Sequence, residues 1–380
     1  MEYVKLGDIC TKVCSGGTPT SSNPAYYDGN IPWLNTNEVN FCNIYSTNKT
    51  ISEEGLKKSA AKYVPENTVI VAMYGVTAGK CAIAKIPLTT NQACCNLIID
   101  KEKADYCYVY YYLRQQSDSL NKLAIGGAQQ NLNALTIKKF KIALPTLPVQ
   151  QKIASILSSY DRLIENNTRR IRLLEQMAEN LYKEWFVRFR FPEHENVEIV
   201  NGLPKGWKIN SLKEICEFKR GRNITSAEMC DGIIQVISAG VAPSGYHNKA
   251  NVHGVSVTMS SSGANAGYIS IHYDDIWAAD CSYISEKETE DIYYVYELLN
   301  NIRQVINNFQ IGAAQPHVYP KDINRIKTCV PPKELRIKAN TNLSKIHKEI
   351  HKLYKQNQLL TRQRDLLLPR LMSGKLEVKS

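Results

Sequence analysis

Two short glutamine-containing segments carry side chains suited to hydrogen-bond another molecule. The sequence GGAQ occupies residues 126–129 and precedes Gln130, and GAAQ occupies residues 312–315 and precedes Pro316 and His317. A Gln or Asn amide can bond bidentately to the edge of adenine, as Arg can to guanine. The two segments therefore indicate contacts to nucleic-acid bases. Variable surface loops without a binding role are the alternative.

Three other segments resemble catalytic motifs but lack the partners that the chemistry needs. Residues 23–26 (NPAY) are similar to the base-flipping element of adenine methyltransferases, yet no Gly-rich nucleotide loop precedes them. Residues 75–80 have three residues between their glycines, where a phosphate loop needs four. The strand alternation around Asp274, Asp275 and Asp280 indicates solvated carboxylates on an exposed turn rather than a nuclease metal site. The sequence thus disfavours a self-sufficient enzyme.

The eleven cysteines predict buried, reduced thiols rather than disulfides or zinc ligands. Their number is odd, and no CxxC pair occurs. Cys10 and Cys14 have ligand-like spacing, but no second Cys or His pair completes a site. We expect no secretion signal, because the first residues lack a charged region followed by an apolar stretch, and no apolar run is long enough to span a membrane. We therefore expect a cytoplasmic protein without a membrane partner.

The charge of the chain fits nucleic acid as a partner but does not decide the matter. The formal net charge is +11, which is typical of proteins that bind DNA or RNA. Residues 191–333, however, carry a net negative charge. An ordinary solvated surface explains the same composition about as well.

An internal repeat organises the elements that must position these residues. The GGAQ segment recurs as GAAQ at an offset of 186 residues, and Pro145 recurs as Pro331 before a helix. Residues 69–73 and 255–259 are strand-like, and each run leads through a small polar loop into a second short strand. We expect two hairpins with Gly-rich tips and two extra residues in the second loop. Each domain is predicted to be α/β or α+β, with a mixed sheet.

Two heptad seams follow the same offset. Apolar residues recur at alternating steps of four and three from Ile153 to Trp185, with Asn167 as the polar exception. A matching seam runs from Ala339 to Leu367, with Asn357 and Arg364 as exceptions, and we expect that helix to break near Pro369. Neither seam has a partner in its own half, so the two helices are predicted to pack on each other in a pseudo-two-fold repeat. About 33 residues make a rod of roughly 50 Å, which is longer than one turn of duplex DNA.

Four further stretches resemble the specificity subunits of type I restriction–modification systems. They are residues 15–35 (SGGTPTSSNPAYYDGNIPWLN), 184–192 (EWFVRFRFP), 203–208 (LPKGWK) and 366–376 (LLLPRLMSGKL). With the repeat, the resemblance spans the whole chain. It implies two target-recognition domains at 1–150 and 191–333, a central conserved helix at 151–190, and a C-terminal conserved helix and tail at 334–380.

The resemblance also implies partners and an absence of catalysis in this chain. Members of that family bind double-stranded DNA at a split, asymmetric target. They recruit two methyltransferase subunits and, optionally, two restriction subunits. S-adenosylmethionine, ATP and Mg²⁺ would belong to those partners, so no cofactor and no metal are expected here. Trp185 and Phe186 are either exposed partner contacts or a plug at the end of the coiled coil.

We predict DNA contacts from side chains on the loops of both domains, some to phosphates and some to bases. The candidates are Lys12, Thr18, Thr20, Tyr74, Thr77, Lys80, Gln129, Gln130, Arg220, Arg222, Ser261, Asn265, Gln315 and His317. A coiled-coil scaffold with two protein-binding heads is the rival hypothesis, because it would show the same repeat and seams. That scaffold would not need cations on the loop faces.

Overall fold

The computed structural model describes residues 2–123, 131–308 and 317–378. The chain forms two compact units. Unit 1 comprises Met1–Glu165 and Asn357–Ser380, and unit 2 comprises Asn166–Gln356. Each unit therefore contains one globular domain together with a segment of each long helix.

Unit 1 is built on a five-stranded sheet and a four-stranded sheet. The strands are β1 (Glu2–Lys5), β2 (Cys10–Ser15), β3 (Tyr27–Leu34), β4 (Cys42–Ile44), β5 (Lys49–Ile51), β6 (Tyr63–Val64), β7 (Val69–Ala72), β8 (Cys81–Ala84), β9 (Leu88–Thr90), β10 (Cys94–Ile99) and β11 (Lys141–Leu144). The strand orders are β2-β10-β7-β8-β4 and β5-β3-β9-β6, and β1 pairs with β11. Parallel and antiparallel pairs both occur, so the prediction of mixed sheets is confirmed.

Among its described residues, unit 1 has four short helices and the start of a long one. They are α1 (Glu53–Lys57), α2 (Tyr106–Gln115), α3 (Ser117–Asn121) and α4 (Ala134–Lys139), followed by α5 (Leu147–Tyr182), which continues into unit 2. All four residues of β7 are buried. Such a continuous apolar run suits a central strand that is covered on both faces.

Unit 2 repeats this architecture with smaller sheets. Its strands are β12 (Ile199–Val200), β13 (Leu203–Pro204), β14 (Lys208–Ser211), β15 (Lys219–Arg220), β16 (Ile234–Ile237), β17 (Gly245–His247), β18 (Ser256–Ser260), β19 (Ile269–His272), β20 (Ile276–Ala278), β21 (Cys281–Ser285) and β22 (Lys327–Val330). Its helices are α6 (Ile292–Asn301), α7 (Arg303–Asn308), α8 (Pro320–Asn324) and the long α9 (Lys333–Met372). The sheet orders β15-β21-β18-β19 and β17-β16-β20 match those of unit 1 without some edge strands.

The two Gly-rich hairpins are present, but the prediction that the second loop is longer is wrong. One turn lies between Gly75 and Gly79 and the other between Gly263 and Gly267, and all four glycines have positive φ angles. Because these left-handed positions fix the turn, the two loops have the same length. The two extra residues of the second copy therefore lie before β18 and not in this loop.

The heptad seams are buried where the two long helices pack in antiparallel fashion within each unit. In unit 2, Asn167 on α5 donates to Gln356 on α9 at 3.1 Å, and Ile171, Ala178 and Leu343 of the two seams lie in one buried cluster. In unit 1, Asp161 on α5 accepts a bond from the Arg364 guanidinium on α9. The predicted pairing of the two helices is thus found in both units.

Two details of the helices differ from the predictions. α9 continues through Pro369 to Met372, so the expected break is wrong. Pro369 lies in the last turn, where its own carbonyl still accepts the Ser373 amide at 3.1 Å, and the helix ends before Gly374 at φ +71°. α5 begins at Leu147, before the expected residue 151, and ends in a π-helical turn at Lys183–Val187.

The aromatic pair at the end of α5 is buried rather than exposed. Trp185 and Phe186 are 8% and 6% exposed. The Phe186 ring lies 4.8 Å from the ring of Tyr294 and 5.9 Å from that of Trp207. These contacts attach the helix end to the core of the second domain, so the partner-contact alternative for this pair is wrong.

Candidate nucleic-acid interface

Three chain segments meet at one edge of the larger sheet in unit 1. The end of β2, the start of β10 and the end of β7 adjoin, because Ser15 pairs with Cys95 and Cys94 pairs with Ala72. The hairpin between β7 and β8 therefore emerges beside the loop that follows β2. The amide of Leu132 donates to the carbonyl of Met73 at 2.9 Å, which brings the segment after residue 130 to the same edge.

The predicted hairpin residues of unit 1 differ in their accessibility. Tyr74 is 40% exposed at the start of the turn. Lys80 is half-buried and donates to the Asn40 side chain at 2.9 Å, with its ammonium 5.9 Å from the centre of the Phe41 ring. Thr77 is buried and its hydroxyl donates to the carbonyl of Thr36 at 2.8 Å. Thr77 thus holds the turn in place, and the set of candidate contacts narrows to the accessible residues.

The other candidates of unit 1 lie within β2 and in the loop that follows it. Thr18 and Thr20 are exposed in the loop after β2, and the Thr18 hydroxyl bonds to the side chain of Gln92. Lys12 is exposed but pairs with Ile98, towards the far end of the sheet. The structure therefore brings Thr18 and Thr20 to the hairpin edge and leaves Lys12 away from it.

The same edge is built in unit 2 around a glycine that approaches the neighbouring backbone closely. Gly221 follows β15, and a Cβ atom on it would lie 2.2 Å from the carbonyl oxygen of Ala279. Gly16 stands in the matching place after β2, and its Cβ would lie 2.0 Å from the oxygen of Thr90. The segment Arg220-Gly221-Arg222 is therefore the structural counterpart of Ser15-Gly16-Gly17.

A compact cluster of charged and aromatic side chains occupies this edge in unit 2. Arg220 forms an ion pair with Asp280, with 2.5 Å between nitrogen and oxygen. The other carboxylate oxygen of Asp280 accepts the Ser262 hydroxyl at 2.8 Å. The guanidinium carbon of Arg220 lies 5.8 Å from the centre of the Tyr319 ring. The orientation of Arg220 is thus fixed by neighbours on other elements.

The remaining candidates of unit 2 surround this cluster. The exposed His317 ring stacks on Tyr319 at 5.7 Å, and a β-bridge joins His317 to Ser262. Arg222 and Asn265 are exposed. Ser261 is fully buried, and its carbonyl accepts the amide of Val318 at 2.9 Å, so its role is positional. Gln129, Gln130 and Gln315 lie outside the described residues.

Sequence reasoning missed several members of this surface. Asp280, Ser262 and Tyr319 were not among the candidates, and Lys321 adds an ammonium 5.6 Å from the Tyr319 ring. Asp280 is 60 positions from Arg220, and no local pattern signals such a pair. The neighbouring Asp274 and Asp275 are exposed carboxylates, as predicted, and they form ion pairs at the surface. Asp275 contacts His253 at 2.8 Å and Asp274 contacts Lys355 at 2.8 Å.

The segments that resembled catalytic motifs are ordinary turns. Asn23 caps a short 3₁₀ turn by accepting the Ala25 amide at 3.1 Å. Residues 75–80 form the hairpin turn. All eleven cysteines are free thiols, and burial raises the pKa values of Cys95 and Cys281 to about 12. Within the described part of the chain, no cluster of three His, Cys, Asp or Glu side chains could hold a metal ion.

Comparison with known proteins decides the family. The family model described as "Type I restriction modification DNA specificity domain" matches residues 1–176 and again residues 204–365. The chain belongs to this family. The prediction from the sequence is therefore confirmed: this is a type I specificity subunit with two target-recognition domains.

Individual relatives agree with this assignment. The chain is 28% identical to the type I restriction enzyme MjaIX specificity subunit of Methanocaldococcus jannaschii, over 99% of this chain and 93% of that protein. It is also 28% identical to the EcoR124I/EcoR124II specificity subunit of Escherichia coli, over 52% of this chain and 50% of that one. The crystal structure of the S subunit from M. genitalium has the same fold, with a TM-score of 0.67 at 20% identity over 100% of this chain and 96% of that chain. No helix among the described residues of this specificity subunit is long and apolar enough to cross a membrane.

Proposed function

We propose that each target-recognition domain of this specificity subunit reads one half of a split, asymmetric DNA target. The observation that carries the proposal is the shared edge. Both domains present a Gly-rich hairpin, a glycine-anchored loop and a segment bonded to the hairpin strand, but the exposed side chains differ. A common scaffold with different side chains suits two different half-sites on one duplex.

Different side chains at each edge would provide affinity for DNA and preference for a sequence. Accessible cations such as Lys80, Arg222 and Lys321 would contact phosphates, which gives affinity for any sequence. Polar and aromatic side chains such as Tyr74, Asn265 and His317 would contact bases or sugars. Thr18 and Thr20 would serve in either role. Lys12 remains a candidate only for DNA that extends past the hairpin edge.

The helices would recruit the subunits that perform catalysis. Large apolar side chains are exposed along α5 and α9, among them Leu163, Leu173, Met177, Leu359 and Leu366. Such side chains suit a platform for other proteins. The partners would be two methyltransferase subunits and, optionally, two restriction subunits in the cytoplasm. S-adenosylmethionine, ATP and Mg²⁺ would be bound by those subunits, and this chain would itself be non-catalytic.

Selection from random-sequence DNA tests the proposal. The chain is co-purified with its modification subunit, and bound duplexes are recovered and sequenced over several salt concentrations. We expect two short conserved blocks with an unspecified spacer of fixed length, and binding that weakens steeply with salt. Enrichment of one block, or of none, would contradict reading by both domains. Salt-independent, sequence-independent behaviour would favour the scaffold hypothesis.

A further inference from the structure

We infer that Arg220 is the specificity-determining residue with which the second target-recognition domain recognises a guanine in its half-site. The inference rests on the proposed function, since it assigns a base to a side chain of the same interface. It depends on the surroundings of Arg220, on its counterpart in the first domain, and on the chemistry of a buttressed guanidinium.

The surroundings hold the guanidinium while leaving it accessible. The side chain of Arg220 is 40% exposed, and it is bonded to a carboxylate that is itself held by Ser262. Tyr319 lies against the guanidinium from the start of α8. A guanidinium has five N–H donors, and the bond to Asp280 uses one. Asp280 and Tyr319 thus restrict the rotamers of Arg220 before DNA binds, which lowers the entropic cost of recognition.

The ion pair also favours a base over a phosphate as the ligand. A phosphate carries a negative charge and would compete with Asp280 for the same cation, at the cost of repulsion from that carboxylate. The O6 and N7 atoms of guanine are neutral acceptors spaced for a planar guanidinium fork. Arg222 and Lys321 lie at the same edge as exposed cations and suit the phosphates better.

The first domain has different residues at the positions equivalent to Arg220, Asp280 and Ser262. Strand pairing makes Ser15 the counterpart of Arg220, because Ser15 pairs with Cys95 as Arg220 pairs with Ser282. By the same correspondence, Ala93 of the first domain is equivalent to Asp280 of the second, and Tyr74 is equivalent to Ser262. Asp280 and the two residues bonded to it, Arg220 and Ser262, therefore differ together between two otherwise matched edges. A scaffold requirement would be shared by both domains, whereas a half-site requirement would not.

The test uses the complex of the full chain with its modification subunit. Target motifs are determined by mapping methylated adenines, and binding is measured by competition with duplexes in which each G·C pair of the second block is replaced in turn. Arg220→Lys keeps the charge but loses the fork, and Arg220→Gln loses both. Asp280→Asn removes the buttress. Lys219→Ala is the matched control, because Lys219 is the preceding residue of β15, points to the opposite face and pairs with Glu288 at 2.9 Å.

We expect the wild-type complex to discriminate against a replaced guanine at one position of the second block by about 10- to 100-fold. Arg220→Lys and Arg220→Gln should abolish discrimination at that position and leave the first block unchanged. Asp280→Asn should weaken it, and Lys219→Ala should have no effect.

Two results would overturn the inference while leaving the proposed function intact. One is full discrimination in Arg220→Lys together with an affinity loss in Arg220→Gln at every sequence, which would make Arg220 a phosphate contact. The other is an unchanged motif in both variants. A wild-type complex without any two-block motif would instead overturn the proposed function. If Arg220→Gln fails to fold, Arg220→Lys and the wild-type competition series still test whether Arg220 recognises a guanine.

Discussion

Single residues at the hairpin edge fall into two groups that only the fold separates. Thr77 and Tyr74 lie in the same turn, and both types can contact DNA. The turn buries Thr77 against the Thr36 carbonyl and leaves Tyr74 exposed. Sequence reasoning found the turn because its glycines and strand pattern are local signals. It could not assign side-chain direction, since that depends on the loop packed beside the turn.

Lys80 is expected to supply affinity without sequence preference. Its ammonium lies between the Asn40 amide oxygen and the Phe41 ring at the hairpin edge. Lys80→Ala should weaken binding of the assembled complex to cognate and unrelated duplexes by similar factors. It should also reduce the slope of log affinity against log salt by about 1. Fluorescence anisotropy over a salt series measures both quantities.

Lys85→Ala provides the control for this prediction. Lys80 directly precedes β8 and Lys85 directly follows it, so the two lysines lie at opposite ends of that strand. Lys85 bonds to Asn67 at 3.2 Å and to Tyr106 at 3.3 Å. Its removal should leave the salt slope unchanged. A change of preferred sequence in Lys80→Ala, with an unaltered salt slope, would mean that Lys80 contacts a base.

At the scale of elements, each domain is attached to a long helix by polar contacts at matched positions. In unit 1, Gln150 on α5 accepts the amide of Asp105 at 2.9 Å. In unit 2, Arg336 on α9 forms a buried ion pair with Asp291. A second matched pair joins Tyr111 to Asp161 at 2.6 Å and His347 to Glu297 at 3.2 Å. The positions agree between the copies, and the chemistry differs.

The two contacts of the first matched pair, Gln150–Asp105 and Arg336–Asp291, are predicted to stabilise their domains by different amounts. Arg336→Leu leaves the Asp291 carboxylate buried without its partner, which costs about 3–5 kcal/mol. Gln150→Leu removes a neutral acceptor and costs about 1–3 kcal/mol. Hydrogen exchange should therefore show a larger loss of protection in α6 for Arg336→Leu than in α2 for Gln150→Leu. Equal losses, or loss in the opposite domain, would show that these contacts do not govern local stability.

The elements were more predictable than their polar attachments. The repeat, the hairpins and both heptad seams could be predicted because they rest on periodicity within short windows. Arg364 was recognised only as an exception to its seam, and the structure explains it through the bond to Asp161 and an ion pair with Asp365 at 2.8 Å. The bond to Asp161 joins residues 203 positions apart, so no local pattern contains it.

At the scale of the whole molecule, the chain combines an ordinary composition with a net charge of +11 and two copies of one architecture. Composition alone left a scaffold and a DNA-binding protein equally open. The repeat and four sequence stretches pointed to the type I family, which the two matches of its domain model confirmed. Residues 124–130 and 309–316, which include the predicted glutamines, lie outside the described residues. Their contribution to sequence reading stays a prediction.

Methylation mapping by single-molecule sequencing tests the central claim most directly. The chain is co-expressed with its modification subunit in a host without adenine methylation, beside a control that lacks this chain. We predict methyladenine in a split, asymmetric motif that appears only when the chain is present. The absence of new methylation, from a modification subunit that is folded and co-purifies with the chain, would contradict the claim that this chain directs the complex to its target.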